Sequence, residues 1–401
     1  MFSVLSVASA FGNRNEGVFG GILKLSPEVR ALCEEVRRFI EKEVEPRSRW
    51  IEEHDAIPDE LVAKARGIGL FGLTIPEEYG GIGLDLAGKC AIEEEMGRTN
   101  YGFASFIGNH TGIATTGIVA LGSATLKRRY LPRMATGEWI GCFALTEPQA
   151  GSDPSALRTT AVKKGDRWVL NGEKIYVTNA GVARVFTVMA VTDRAKGIRG
   201  ISAFVIERGF PGLAVGRNEL KMGMHGCTTA PLAFTDCDVP PENLLGPEGM
   251  GYVQALKTLT MGRVTIAARC AGMMDKLIER SIEYMRMRTQ GGRRLSEYQG
   301  LQWMLADMAV ARDAARLLTA RAIETILRGE RGTLEASAAK LYATEALGKV
   351  VDSAVQIHGG MGYMREAGIE TTYRDARITR IYEGTSEIQR NIIAAQLLKD
   401  E

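Results

Sequence analysis

The spacing of apolar residues changes twice along this 401-residue chain, and that change constrains the fold more than any other feature. From Leu25 onward, residues such as Val29, Leu32 and Val36 recur at helical spacing. The middle of the chain holds short runs rich in Val, Ile, Phe and Thr, and long amphipathic helical stretches follow it. The sequence therefore predicts a multidomain α+β fold: an N-terminal arm (1–24), an N-terminal α-helical domain (25–140), a central β-barrel or β-sandwich domain (141–248) and a C-terminal four-helix bundle (249–401).

Local signals refine this outline. The expected strands are Arg167–Leu170, Glu173–Thr178, Val185–Thr192, Ile201–Ile206, Leu213–Arg217 and Pro231–Phe234. Ser26, followed by proline, predicts a helix start. Ser296 with Gln299 and Ser386 with Gln389 have the spacing of capping boxes.

Two further segments allow more than one interpretation. Residues 67–72 match G-x-G-x-x-G, but helical spacing precedes them and a loop follows, so a helix end and turn is favoured over a dinucleotide site. Within residues 1–24, an apolar stretch ends at Ala8-Ser9-Ala10, and this end could mimic a secretory cleavage site. No positive charge precedes that stretch, so an N-terminal arm is favoured.

Composition excludes several classes of protein. Lys and Arg (50) nearly balance Asp and Glu (48), which argues against nucleic-acid binding by bulk charge. No apolar run reaches the ~18 residues that a membrane span needs. The six cysteines show no C-x-x-C pair and the four histidines lie far apart, so we expect reduced thiols and no metal site. A cytoplasmic protein, or a mitochondrial-matrix one in a eukaryote, is expected.

Two segments carry candidate chemistry. Residues 144–153 (ALTEPQAGSD) pack Gly, Ser, Thr and Asp around a turn, which fits either a polar-ligand loop or a plain surface loop. The HGGMG stretch after Gln356 allows close approach of backbone to a phosphate. Glu383 lies between apolar residues and a glycine. An apolar setting would raise its pKa and suit it to proton abstraction, although it could also simply favour the N-terminus of the next helix.

Five segments, taken in order, resemble the acyl-CoA dehydrogenase family: ALTEPQAGSD (144–153), KIYVTNAG (174–181), the LxFxDCxVPxENLLG stretch (232–246), QIHGGMGY (356–363) and DARITRIYEGTSEIQR (375–390). The resemblance runs from about Leu25 to Leu398. It implies the fold outlined above, FAD bound at a subunit interface, and a homotetramer.

The resemblance also implies roles for individual residues. Glu383 matches the catalytic base; some members carry the base at the position of Gly262, where glycine cannot serve. This pattern resembles the short-chain, medium-chain and short-branched-chain groups. The positions that match FAD contacts are Phe143, Leu145, Thr146, Ser152, Tyr176, Thr178, Arg288, Gln299, Gln356, Gly359, Gly360, Thr385 and Glu387. The positions that match the substrate site are Ser152, Thr260, Arg263 and Gly384.

The implied reaction is α,β-dehydrogenation of an acyl-CoA to the trans-2-enoyl thioester, with electrons passed to an electron-transfer flavoprotein. Four positions depart from the family: Thr260 stands for Asp and Ala395 for Arg on the CoA side, and Gly291 stands for an aromatic residue and Arg294 for proline near the FAD adenine. A carrier-protein thioester, or an oxygen-using oxidase or monooxygenase on the same fold, is therefore an alternative. A non-catalytic scaffold is disfavoured, because the base and the flavin loop are both present.

Overall fold

The first part of the chain is helical, as the apolar spacing predicts. The computed structural model describes residues 21–399. Its N-terminal helices are α1 (Pro27–Phe39), α2 (Ser48–His54), α3 (Asp59–Gly67), α4 (Leu86–Met96), α5 (Tyr101–Asn109), α6 (Thr115–Leu121) and α7 (Ala124–Ala135). The helix start at Ser26 is confirmed, because Ser26 Oγ accepts a hydrogen bond from Val29 N at 3.3 Å. Most of the predicted arm (1–24) lies outside the described residues.

The middle of the chain forms a β-sheet domain, as predicted. Within residues 21–399 its strands are β1 (Gly141–Ala144), β2 (Thr160–Lys164), β3 (Arg167–Thr178), β4 (Val185–Val191), β5 (Ile201–Glu207), β6 (Leu213–Val215) and β7 (Thr229–Val239). β4 pairs with β1 and β2 in parallel and with β5 antiparallel. From β2 the sheet continues through β3 and β7 to β6. Because all residues of β4 and β5 are buried, the core of this domain lies there.

Two strands were not among those predicted, and two predicted runs merge. β1 is a four-residue Gly-Cys-Phe-Ala segment without a β-branched residue, and β2 ends in two lysines, so neither carries a strong strand signal. The expected strands at 167–170 and 173–178 form the single strand β3. One of its register shifts against β7 lies between Lys174 and Val177, and this bulge holds Tyr176 at φ +54°.

Long helices return after the sheet: α8 (Gly251–Met287), α9 (Gln299–Leu327), α10 (Thr333–His358) and α13 (Ser386–Leu397). The short helices α11 (Gly360–Tyr363) and α12 (Ile369–Thr379) connect α10 to α13, and a hairpin of β8 (Thr289–Gln290) and β9 (Arg293–Arg294) joins α8 to α9. Apolar side chains of the N-terminal helices and of this bundle belong to one core cluster. The two helical domains are therefore packed together through a shared interior.

The hairpin between α8 and α9 accounts for two of the departures from the family pattern. Gly291 lies in its turn at φ +57°, a conformation that favours glycine. Arg294 N donates a hydrogen bond to Glu297 Oε1 at 3.0 Å, and a proline has no N–H to donate. The capping box expected at Ser296 and Gln299 is wrong, because Gln299 is itself the first residue of α9.

The capping box expected at Ser386 and Gln389 is also wrong. Thr385 is the cap of α13, since its Oγ1 accepts a hydrogen bond from Ile388 N at 3.3 Å. The G-x-G-x-x-G stretch is, as interpreted, a helix end and turn: α3 ends at its first glycine, and Gly69 follows at φ +73°.

Three findings concern the described range as a whole. No helix within residues 21–399 is long and apolar enough to cross a membrane. The same range contains no group of three His, Cys, Asp or Glu side chains placed to hold a metal ion. The six cysteines are buried and unpaired.

Helix α4 is the charged centre of the helical core. Nearly all its residues are buried, including three consecutive glutamates. Each glutamate contacts an arginine of a different helix at an N–O distance of 2.5 Å: Glu93 with Arg269 of α8, Glu94 with Arg316 of α9, and Glu95 with Arg37 of α1. Because an unpaired charge is costly to bury, these pairs fix α4 against three neighbouring helices.

Loss of one of these arginines should destabilise the fold. Arg37→Met removes both hydrogen bonds to the Glu95 carboxylate, which is only 2% exposed, so we expect the free energy of unfolding to fall by about 3 kcal/mol. Arg49→Met is the matched control, because the Arg49–Glu53 pair is exposed to solvent, and its loss should destabilise the fold much less. Urea unfolding measures both variants, and equal losses would contradict a special role for α4.

Candidate active site

The loop between α12 and α13 positions Glu383. Glu383 (φ +51°) and Gly384 (φ +95°) both adopt left-handed backbone, which is a strained conformation for the glutamate. Their carbonyl oxygens are held from three helices. Arg263 Nε and Gln389 Nε2 donate to Glu383 O at 3.3 and 3.2 Å, and Lys340 Nζ donates to Gly384 O at 2.8 Å. The strained turn is therefore fixed by the bundle and does not depend on its own local preference.

The carboxylate of Glu383 lies directly against Gly262 of α8. A Cβ added to Gly262 would lie 2.0 Å from Glu383 Oε2, so only glycine leaves room for the side chain. Oε2 is buried without a hydrogen-bond partner. Burial raises the pKa of Glu383 to about 7, and the nearby cations Arg263 and Lys340 limit that rise. A buried, unpartnered oxygen on a carboxyl group that titrates near neutral pH is suited to accept a proton from a bound molecule.

This geometry bears on the two interpretations of Glu383 that the sequence left open. A glutamate that only favoured the start of α13 would face the free N–H groups of that helix. Thr385 supplies the cap for α13, whereas Oε2 faces Gly262 on another helix. The arrangement favours the interpretation as a base.

A cavity of about 250 Å³ borders Gly262. It lies between α4, α6 and α8, and the side chains of Leu84, Val119 and Met261 form an apolar part of its wall. Lys89 and Thr111 also line it. A chain of several methylene groups therefore fits the cavity, which has a polar wall formed by α4 and the kink after α5. Gly262 borders both the cavity and the Glu383 carboxylate.

A second surface forms around Tyr176 on the sheet. The bulge in β3 leaves the Tyr176 side chain 67% exposed, and Thr178 follows two residues later. Thr146 O accepts a hydrogen bond from Ile175 N at 2.9 Å, so the loop after β1 lies beside this ring. Of the other predicted flavin contacts, Phe143 is buried, Leu145, Thr146 and Thr385 are partly buried, and Ser152 and Glu387 are exposed.

Sequence reasoning missed the residues that hold this loop. Glu147 is 2% exposed and accepts hydrogen bonds from Lys174 Nζ at 2.7 Å and from the backbone N–H groups of Arg158 and Thr159 at 2.7 and 3.1 Å. Lys174 is fully buried, and burial lowers its pKa to about 8. A charged residue inside a strand was the available signal. Lys340 and Gln389, which hold the Glu383 turn, were missed as well, although Lys340 stands among alanines on the buried face of α10.

The remaining predicted cofactor residues lie at the other end of the bundle. They are Arg288, Gln299, Gln356, Gly359 and Gly360, and all are exposed. Arg288 follows α8 about 38 Å along the helix from Arg263, at 1.5 Å per residue. A Cβ at Gly359 or Gly360 would meet nothing within 4 Å. Within one chain the structure therefore does not bring these residues to Glu383.

Of the positions predicted to lie on the substrate side, some belong to the Glu383 turn and others do not. Arg263 and Gly384 belong to the Glu383 turn, with Arg263 only 4% exposed. The Thr260 hydroxyl donates to Leu256 O at 2.9 Å within its own helix. Ala395 is exposed on α13.

These residues fit a bound flavin at the junction of sheet and bundle. An exposed aromatic ring and a loop bearing hydroxyls supply one wall, and the orphaned oxygen of Glu383 marks where a reacting group would lie. An oxidised ring system on that wall could face a molecule held in the cavity.

Comparison with known proteins agrees with this geometry. Family models match residues 26–138 (acyl-CoA dehydrogenase, N-terminal domain), 142–237 (middle domain) and 249–398 (C-terminal domain). The short-chain specific acyl-CoA dehydrogenase of Clostridium acetobutylicum is 41% identical over 375 residues, 94% of this chain and 99% of that protein.

Two solved structures share the fold. Butyryl-CoA dehydrogenase from Megasphaera elsdenii superposes with a TM-score of 0.91 at 35% identity, covering 94% of this chain and 100% of the other. A chain from the structural study of the electron-transferring flavoprotein of Acidaminococcus fermentans gives a TM-score of 0.91 at 39% identity with the same coverage. The chain belongs to the acyl-CoA dehydrogenase family of FAD-dependent oxidoreductases.

Proposed function

We propose that the protein oxidises a short acyl-CoA to its trans-2-enoyl thioester, with Glu383 as the base. The observation that carries this proposal is the buried, unpartnered Glu383 Oε2 beside Gly262, at the edge of a cavity that fits a short acyl chain. The similarity to a short-chain specific enzyme and to butyryl-CoA dehydrogenase supports the substrate class.

The reaction removes a proton from the α-carbon and a hydride from the β-carbon. FAD, when bound, supplies the hydride acceptor at flavin N5. Glu383 Oε2 takes the α-proton, and the raised pKa makes the carboxylate basic enough to do so near neutral pH. The held carbonyls of Glu383 and Gly384 fix the chain that follows the base. In this proposal the Glu383 N–H donates to the thioester oxygen as negative charge develops there.

We propose that FAD is shared between subunits. Phe143, Leu145, Thr146, Ser152, Tyr176, Thr178, Thr385 and Glu387 would hold the flavin end. Arg288, Gln299, Gln356, Gly359 and Gly360 would hold the adenosine and pyrophosphate of a neighbour's FAD. Their position at the far end of the bundle supports this division, and with it a homotetramer.

An electron-transfer flavoprotein is the proposed acceptor of the electrons, supported by the likeness to a chain from work on such a protein. A carrier-protein thioester, or oxygen as acceptor, remains the alternative. The deciding experiment is an anaerobic titration of the purified flavoprotein with acyl-CoA thioesters, followed by flavin absorbance. Bleaching by short chains supports the proposal, whereas a bound flavin that no acyl-CoA bleaches would refute acyl-CoA as the substrate.

Glu383→Gln should keep FAD bound and abolish most substrate-driven flavin reduction. Loss of a general base typically lowers the rate by about 10² to 10⁴. Stopped-flow absorbance with the best acyl-CoA measures this rate. Glu366→Gln, an exposed glutamate before α12, is the matched control and should react like the wild type. Turnover by Glu383→Gln within about tenfold of wild type would exclude Glu383 as the base.

Gly262→Ala should disturb the same step without touching the base itself. The added Cβ would collide with Glu383 Oε2, so the carboxylate must move, and a displacement of about 1 Å can lower the rate by roughly 10². Gly67→Ala is the control, because a Cβ there meets nothing within 4 Å. A normal rate of flavin reduction in Gly262→Ala would show that the carboxylate reacts from another position.

The rate of flavin reduction at low substrate should rise with pH to about 7 and level off above it. Only the ionised carboxylate can take the α-proton, and burial places the pKa of Glu383 at about 7. Arg263, Lys340 and Arg269 lower that pKa, whereas Glu93 raises it. Rapid-mixing measurements from about pH 5.5 to about pH 9 test the profile. A rate that falls through neutral pH would contradict the assignment.

A further inference from the structure

A buried cluster of three charges lies on the side of the cavity formed by α4. Lys89 Nζ contacts Glu93 Oε1 at 2.7 Å, and Arg269 Nε donates to Glu93 Oε2 at 2.7 Å. The three residues are 3%, 1% and 5% exposed. A Cβ at Gly108 of α5 would lie 1.8 Å from Arg269 Nη2, so glycine is needed there to make room for the cluster.

The cluster carries one positive charge more than it can neutralise. Two cations share a single carboxylate, and the Glu93–Arg269 pair is balanced without Lys89. Arg263, Arg269 and Lys340 lie near Glu383, and Lys89 lies near Glu93 and Arg269, and all four cations are buried. Against them stand the carboxylates of Glu93 and Glu383 and the exposed Asp85 at the edge of the cavity. An excess of buried positive charge is costly unless an anion compensates it.

Lys89 also has a hydrogen-bond donor that could bind a ligand in the cavity. Its ammonium has three N–H groups, and Glu93 Oε1 and Thr111 Oγ1 take two of them. Four of the five threonine hydroxyls on the same wall are already committed as donors, since Thr74, Thr111, Thr116 and Thr265 donate to main-chain carbonyls. The fifth threonine, Thr258, is uncharged. Among the described contacts, one Lys89 N–H therefore remains for a ligand oxygen.

Much of the remaining wall is apolar, with Leu84, Leu86, Val119, Ala120 and Met261 lining the same space. The exposed Asp85 also borders it, and its carboxylate accepts a hydrogen bond from Gly88 N as the cap of α4. Its volume of about 250 Å³ leaves room for a short methylene chain. This pattern fits a short methylene chain that ends in an anion.

We propose that the cavity selects acyl groups that end in a carboxylate, the monothioesters of short dicarboxylic acids, and that Lys89 is the specificity-determining residue. This inference rests on the proposed dehydrogenase function. The Lys89 ammonium binds the terminal carboxylate, while the apolar wall binds the methylene chain between it and the thioester.

The test compares chains of equal length with and without the terminal carboxylate. Glutaryl-, adipyl- and pimelyl-CoA are paired with pentanoyl-, hexanoyl- and heptanoyl-CoA in anaerobic stopped-flow reduction of the bound flavin. In the wild type, at least one dicarboxylic thioester should exceed its partner by about tenfold or more in second-order rate constant. Faster reaction of the monocarboxylic partner in every pair would overturn the inference.

Lys89→Met removes the charge and leaves the Glu93–Arg269 pair balanced, so it should fold and bind FAD. The ratio of the rate constants for each dicarboxylic thioester and its monocarboxylic partner should fall at least about tenfold. Lys89→Arg should retain the preference. Lys276→Met, at a lysine of α8 paired with Glu45, is the control and should behave like the wild type. An unchanged preference in Lys89→Met would overturn the role of Lys89, whereas absence of flavin reduction with every thioester would refute the proposed function instead.

Discussion

Three consecutive buried glutamates on α4, each paired with an arginine from another helix, fix the framework on which the site depends. Two of the pairs connect α4 to α8 and α9, and the third connects it to α1, around the core that the helical domains share. Charge pairs of this kind add little net stability over an apolar core, but they tolerate only one arrangement, because any other leaves a buried charge alone. The position of α4 relative to α8 defines the cavity, and Glu93 serves both the framework and the cavity wall.

The Glu383 turn is likewise held in one conformation by buried polar contacts. A glutamate with positive φ is strained, and it is maintained because Arg263, Gln389 and Lys340 bind the carbonyl oxygens of the turn. In this conformation the Glu383 carboxylate lies against Gly262, and its Oε2 is buried without a hydrogen-bond partner. The proposed role of Glu383 as the base depends on this unpartnered oxygen, because most buried polar groups in proteins are paired.

The sheet contributes a second rigid surface. Buried Lys174 and Glu147 hold the loop after β1 against β3, and the bulge in β3 turns Tyr176 outward beside that loop. A loop positioned by a buried ion pair presents its hydroxyls without the mobility of a free surface segment. Tyr176 and Glu383 thus stand on two separately fixed parts of the structure, the bulge of β3 in the sheet and the turn before α13 in the bundle.

Much of this could be read from the sequence. The switch from helical to strand spacing and back indicates the order of the domains, Ser26 marks the first helix, and the YEGT motif singles out Glu383. The capping boxes predicted for α9 and α13 were wrong. The strands β1 and β2, and the partners Glu147, Lys174, Gln389 and Lys340, were not predicted. Periodicity reports which face of an element is buried but not what it is buried against. The contact of Glu383 with Gly262, and the excess charge at Lys89, exist only where residues far apart in the chain meet, so tertiary packing alone decided them.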